Sequence, residues 1–276
     1  VLLQPEALFR FELGDGKVDE QGRSFLAPRE LAYAVAGAFG DFPPDKGLQK
    51  ALKEGSLSSR DDVRRQIDRY WRDYRLASHT RVLRFFQEYF GYAASPDVFK
   101  DVKEIDDRLR PDLVTDTDML VLHVLEKDRD VLATLLTTNE SFVHFAAVKR
   151  HLESLRNPNP KFPPKSHPFH EMRNPVNLLY NFNPDDWSTE QPLKLPPTER
   201  CGILTQPSWL IAHSTNDAND AIHRGKWIRE RLLGGAIPDT PITVQAQLPD
   251  EPDATLRERM RVTREEFCWK CHQRMD

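Results

Sequence analysis

Ten of the chain's 21 prolines fall in one stretch, NPNPKFPPKSHPFHEMRNPVNLLYNFNPDDWSTEQPLKLPP, between Asn157 and Pro197. Each proline removes an amide donor and fixes one backbone dihedral, so neither a long helix nor a central strand can run through it. The stretch also lacks any sustained apolar period. It divides the chain into a region before residue 151, a proline-rich connector over 151–199, and a smaller region from 200 to 276. Leu178, Tyr180, Phe182 and Trp187 are the side chains through which the connector would pack. His167 and His170, in HPFH, have ligand chemistry, but proline-rich loops commonly carry histidines that bind nothing.

Residues 1–150 read as helical. In SLSSRDDVRRQIDRYWRDY, Ser58 and Ser59 each stand three residues before an aspartate, an N-terminal capping pattern, and Val63, Ile67 and Tyr70 follow at helical spacing. TRVLRFFQEYFGY sets Val82, Phe85, Phe86 and Tyr89 on one face and stops at Gly91. That stripe predicts a buried helix face. LVTDTDMLVLHVLEKD and DVLATLLTTN predict a long helix and a shorter one. His79, His123 and His144, scattered among these segments, read as structural or surface histidines.

The region from 200 onward predicts short helices in TQPSWLIAHS and NDAIHRGKWIRERLLGG, the second capped at Asn219 or Asp220 and ended by Gly234. AIPDTPITVQAQLPDEP reads as an extended arm. Thr255 with Glu258, and Thr263 with Glu266, each predict a capping box, the second opening onto FCWKCHQRMD. The fold class is therefore mostly α: an N-terminal helical domain, a Pro-rich connector, and a small α domain carrying a Cys-x-x-Cys-His motif.

Charge excludes one class of partner. The 39 basic and 43 acidic residues give a net charge of −4 and are mixed along the chain, with no basic stripe of the kind a nucleic acid requires. No apolar run is long enough to cross a bilayer. The adjacent pairs Asp61/Asp62 and Asp185/Asp186 point apart, as caps or solvated charge rather than an acid–base pair.

The motif Cys268, Cys271, His272 carries the chemistry. Two cysteines three apart place both sulfurs on one side of a helical turn, spaced for thioether bonds to a haem, and the next residue supplies an axial nitrogen. Zinc is the rival: Cys201, Cys268, Cys271 and His272 have the composition of a Cys3His tetrahedron, although Cys201 lacks a close ligand neighbour. A redox-active dithiol and an incidental cysteine pair also stay open. If haem is present, Met275 leaves the same helix face as His272 and cannot reach the opposite side of the iron. His213, His223 and Met260 are then the candidates for a distal ligand within this sequence, the alternatives being a ligand past Asp276 or an open, five-coordinate iron. His213 is favoured because it lies in the short apolar stretch LIAHS.

The blocks ERCGILTQPSWLIAHS, IHRGKWIRERLLGG, TLRERM and CWKCHQRMD resemble, in that order, the planctomycete cytochrome C family, also known as domain of unknown function 1588. Upstream, LAPRELAYAVAGAFGDFPPDKGL, LSSRDDVRRQIDRYWRD and FFQEYFGYAASPDVFKD resemble its usual N-terminal neighbour, domain of unknown function 1592. The resemblance implies domains at 1–150 and 200–276 and a covalent haem c on Cys268 and Cys271 with His272 axial. It further implies a periplasmic or otherwise exported location, and a larger protein whose other domains are its partners. That family's pattern continues past Asp276 with a Pro-Leu-Gly-type segment, so the small domain is expected to be truncated and the chain an excised piece. The expected function is electron transfer by a c-type haem, as the redox part of a larger oxidoreductase. Its alternative is an interaction module clipped by zinc. No redox partner and no enzymatic reaction follow from the sequence.

Overall fold

The computed structural model describes residues 12–40, 43–72, 80–101, 105, 109–143, 179–181, 188, 190–216, 218–238, 248–251 and 253–275. His79, His144, His167, His170, Leu178, Phe182, Trp187, Asp185 and Asp186 lie outside them. The fold is mostly α. Two compact units divide it, Val1–Tyr89 and Phe90–Asp276.

The first unit begins with helix α1 (Pro28–Phe39), whose proline at the start gives up a donor that would have no partner there. The Glu30 carboxylate reaches back to accept from the amides of Leu13, Gly14 and Ala27, tying the preceding segment to the helix. Asp45 caps α2 (Lys46–Lys53) through the Leu48 amide and takes both guanidinium nitrogens of Arg69 at 2.6 and 2.8 Å. Arg69 lies on α3 (Arg60–Arg72), so that fork joins two helices. Ala32, Val35, Ala36, Leu48, Ala51 and Leu57 form the core, with Val63 and Tyr70 of α3 packed against it.

Helix α4 (Thr80–Phe90) runs from the first unit into the second and corrects one sequence expectation. Its buried residues are Leu83 and Phe90, whereas Phe85 is 60% exposed and Tyr89 is also exposed. The stripe Val82, Phe85, Phe86, Tyr89 has helical period, but so does Leu83, Phe86, Phe90, and it is the second that turns inward. Phe85 instead stacks on Tyr89 and meets Phe86 edge-on.

In the second unit a 3-10 segment (Tyr92–Asp97) leads to α5 (Leu109–Glu126) and α6 (Val131–Thr137). Strand β1 (Glu140–Ser141) then pairs antiparallel with β2 (Leu193–Lys194), in register Glu140 with Lys194. α5 is covered around much of its circumference. Leu113, Leu120, Val121 and Val124 are buried, and so are Asp112, Asp116, Thr117 and Asp118. Buried polar groups need partners. The Tyr92 hydroxyl donates to Asp118 at 2.6 Å, Tyr180 donates to Asp116 at 3.1 Å, and Thr117 meets Ser208 at 2.6 Å. Burial pushes the phenol pKa of Tyr92 and of Tyr180 up, and the neighbouring carboxylates push the same way.

The second unit's core joins Ile105, Leu109, Leu113 and Val143 to Tyr180, Leu195 and Ile211. Residues from the end of the proline-rich connector thus take part in it. The division between the compact units falls at 89/90 in the sequence. Within the second unit, α7 (Pro207–Ala212) buries Trp209 and Ile211 against α5 and the 3-10 segment.

Candidate functional site

The approach to the cysteines begins at α9 (Leu256–Arg259). Its capping box forms as expected, with the Thr255 hydroxyl accepting from the Glu258 amide and the Glu258 carboxylate accepting from the Thr255 amide at 2.7 Å. The second box does not form. Thr263 lies in a 3-10 segment (Met260–Arg264), is buried, and turns its hydroxyl back to the Met260 carbonyl at 2.8 Å. Helix α10 (Glu266–His272) starts instead from Glu265 in extended conformation, with no side-chain cap.

Cys268, Cys271 and His272 all lie on α10, with His272 its last residue. At about 100° per residue, the three fall within an arc of about 100°, on one side of the helix. Both thiols are free and half-exposed. Phe267 and Trp269 flank them and are exposed at 61% and 40%, so the cysteine face opens between two aromatic rings. After His272 the chain tightens: Arg274 N–H donates to the Cys271 carbonyl at 3.1 Å and Met275 N–H to the His272 carbonyl at 2.9 Å.

The helix α8 (Ala221–Trp227), capped by Asp220, runs directly into a π-helical turn (Ile228–Leu232). A Cβ placed on its Gly225 would lie 1.7 Å from the Met275 carbonyl oxygen. α8 and the turn after His272 are therefore in backbone contact. Two residues on, Trp227 meets Trp209, His213 and Phe90 with ring centroids 5.7, 5.7 and 5.9 Å away.

His213 follows α7 as its C-cap and is half-buried in that aromatic cluster, stacked on Trp209 at 4.4 Å. A Cβ on Gly91 would sit 3.3 Å from its Cε1. Its Nδ1 lies 3.0 Å from the Trp209 carbonyl oxygen, which can only accept, so Nδ1 carries the hydrogen. Burial holds the imidazole pKa below its ordinary value, with Arg224 acting in the same direction and the Trp209 carbonyl against it. The neutral ring then keeps its lone pair on Nε2. The other two distal candidates differ. His223 is exposed and its Nδ1 sits 2.7 Å from an Asp220 carboxylate oxygen, while Met260 is half-buried in the 3-10 segment.

Cys201 stands apart from this motif. Its thiol donates to the Thr137 carbonyl at 3.3 Å, at the end of α6. Among the described residues no three His, Cys, Asp or Glu side chains gather as a metal group, so Cys201, Cys268, Cys271 and His272 are not assembled as the zinc tetrahedron their composition allowed. The cluster of Trp209, Trp227 and Phe90 escaped sequence reasoning because its members are far apart in the chain. Helix α8 itself was legible in NDAIHRGKWIRERLLGG with its Asp220 cap, but its contacts with these rings were not.

This defines a mostly helical chain with a solvent-facing Cys-x-x-Cys-His turn braced by a glycine-containing helix. Residues 26–148 match the family model PSD4, described as a protein of unknown function (DUF1592), and residues 200–276 match PSCyt3, described as a protein of unknown function (DUF1588). The chain thus joins a PSD4-family region to a PSCyt3-family region, in that order. Comparison with curated proteins and with solved structures returned no match. Among the described residues no helix is long and apolar enough to cross a membrane.

Proposed function

We propose that the chain is an electron-transfer module that holds a c-type haem covalently through Cys268 and Cys271, with His272 as one axial ligand. The observation that carries this reading is two free, half-exposed thiols one helical turn apart, with an imidazole at the very next residue. That donor set fits the group: each thiol can close one thioether, and among the described residues no disulfide or further metal ligand competes for either. Haem held there would supply one-electron redox chemistry. Cys268 and Cys271 would anchor it and His272 would supply a nitrogen, on a helix face flanked by the exposed Phe267 and Trp269.

His213 is the proposed distal ligand. Its neutral ring, fixed tautomer and free Nε2 lone pair are what ligation needs, and hydrogen bonding of the other ring nitrogen is the usual companion of metal-bound imidazole. The reading carries with it a periplasmic or otherwise exported location, where thiols meet haem-attachment machinery. It also makes the module the redox part of a larger oxidoreductase.

The test is the full chain matured in a periplasm competent for c-type haem. Intact mass should show a haem adduct that survives denaturation and is lost in the Cys268→Ala, Cys271→Ala double variant. Haem-free protein holding stoichiometric zinc would overturn the proposal. In the haem-loaded chain His213→Ala should weaken the low-spin bands, and unchanged bands would rule His213 out.

A further inference from the structure

Gly225 occupies the interior of α8, where glycine costs about 1 kcal/mol relative to alanine. Its backbone is ordinary helix, so no unusual dihedral demands a glycine. Space demands it. A Cβ there would lie 1.7 Å from the Met275 oxygen, 2.7 Å from the Met275 carbonyl carbon and 3.2 Å from its Cα. All three are backbone atoms, so no change of rotamer relieves the overlap. The Cα hydrogen that stands in place of the Cβ points at the carbonyl oxygen instead, a weak but directional contact.

Met275 is tied to the motif. Its amide donates to the His272 carbonyl and that of Arg274 to the Cys271 carbonyl, at 2.9 and 3.1 Å. Moving Met275 therefore moves the end of α10 on which His272 sits. The same helix touches the other candidate ligand, because Trp227, two residues after Gly225, meets the His213 ring edge-on with centroids 5.7 Å apart. The helix then widens into its π-helical turn at Ile228–Leu232, a backbone form that recurs at functional sites.

From this we infer that Gly225 is a positioning residue that seats the motif turn, so that α8 sets where the His272 imidazole stands relative to His213. The inference rests on the haem reading for its consequence at iron, but the seat itself is a property of the chain.

The experiment compares the full chain with Gly225→Ala and, as a control on the same helix, Lys226→Ala, whose side chain is directed at Glu230. In haem-free protein, hydrogen exchange at residues 273–275 should accelerate by about tenfold or more in Gly225→Ala and stay unchanged in Lys226→Ala. In haem-loaded protein, Gly225→Ala should keep its covalent haem, because the thiols are untouched. It should lose low-spin character, and added imidazole should restore it. Wild-type exchange rates and wild-type bands in Gly225→Ala would overturn the inference. A wild-type chain that takes no haem overturns the proposed function instead, and the exchange arm still decides the seat. Should Gly225→Ala fail to fold, a nuclear Overhauser contact from Gly225 Hα to Met275 in glycine-labelled wild type decides it, and its absence overturns the inference.

Discussion

Asp62 accepts the Ser59 hydroxyl at 2.8 Å and the amides of Ser59 and Ser58 at 2.9 and 3.1 Å, and its own amide donates back to the Ser59 hydroxyl. These bonds, the Ser59 hydroxyl first, hold its carboxyl pKa below the ordinary 3.8. A depressed folded-state value means that the stabilisation is complete above the unfolded value and disappears as pH falls through the folded one. Asp62→Asn should therefore destabilise the chain at neutral pH, and urea melts should show its deficit shrinking as pH is lowered below about 4. Equal deficits at pH 7 and pH 3 would show that charge has no part in this cap. A residue of this kind is legible in sequence because all its partners lie within four positions. The Gly225 contact is not legible, because its partner is fifty residues away in the chain and is backbone, which leaves no mark on side-chain pattern.

At the scale of elements, period reveals that a helix exists more reliably than it reveals which face is buried. α4 carries two apolar stripes of helical spacing, and only tertiary packing selects Leu83 and Phe90 over Phe85 and Tyr89. α5 presents a different difficulty: period marks the helix but not the burial of Asp116 and Asp118, which Tyr180 and Tyr92 arrive from other segments to satisfy. The buried hydroxyl pair between α5 and α7 can be tested directly. Thr117 also lies 3.1 Å from the Leu113 carbonyl, to which it donates its single hydrogen, so Ser208 must be the donor across the 2.6 Å contact. Thr117→Val leaves the Ser208 hydroxyl without its acceptor and should cost about 1–3 kcal/mol. Adding Ser208→Ala should recover part of that loss, read as a non-zero coupling in a double-mutant cycle from urea melts. Strict additivity would show that the two hydroxyls do not share a bond.

For the whole molecule, the two family matches and the two compact units do not share a boundary. The PSCyt3 region begins at residue 200, but the unit that contains it begins at Phe90, inside the PSD4 match. The bonds between these regions are specific. The Gly202 backbone amide donates to the Thr138 carbonyl at 2.7 Å, the Gln206 side-chain Nε2 to the Ser141 hydroxyl at 2.8 Å, and the Cys201 thiol to the Thr137 carbonyl. Phe90 lies against Trp227, and Ile211 completes a core with Leu109 and Leu113. Removing residues 90–199 would uncover Ile203, Trp209 and Ile211, now 0%, 2% and 5% exposed. At about 1.5–3 kcal/mol for each large apolar side chain, that loss rivals the 5–15 kcal/mol by which a whole domain is typically stable. It follows that 200–276 expressed alone should show no cooperative thermal transition, whereas 90–276 should unfold in one. The Cys-x-x-Cys-His turn would then have its seat only in the longer piece, because α8 is held through Trp227 against Phe90 and Trp209. Circular dichroism melts of the two pieces decide the matter, and a sharp transition in 200–276 would show that the PSCyt3 region carries its own core.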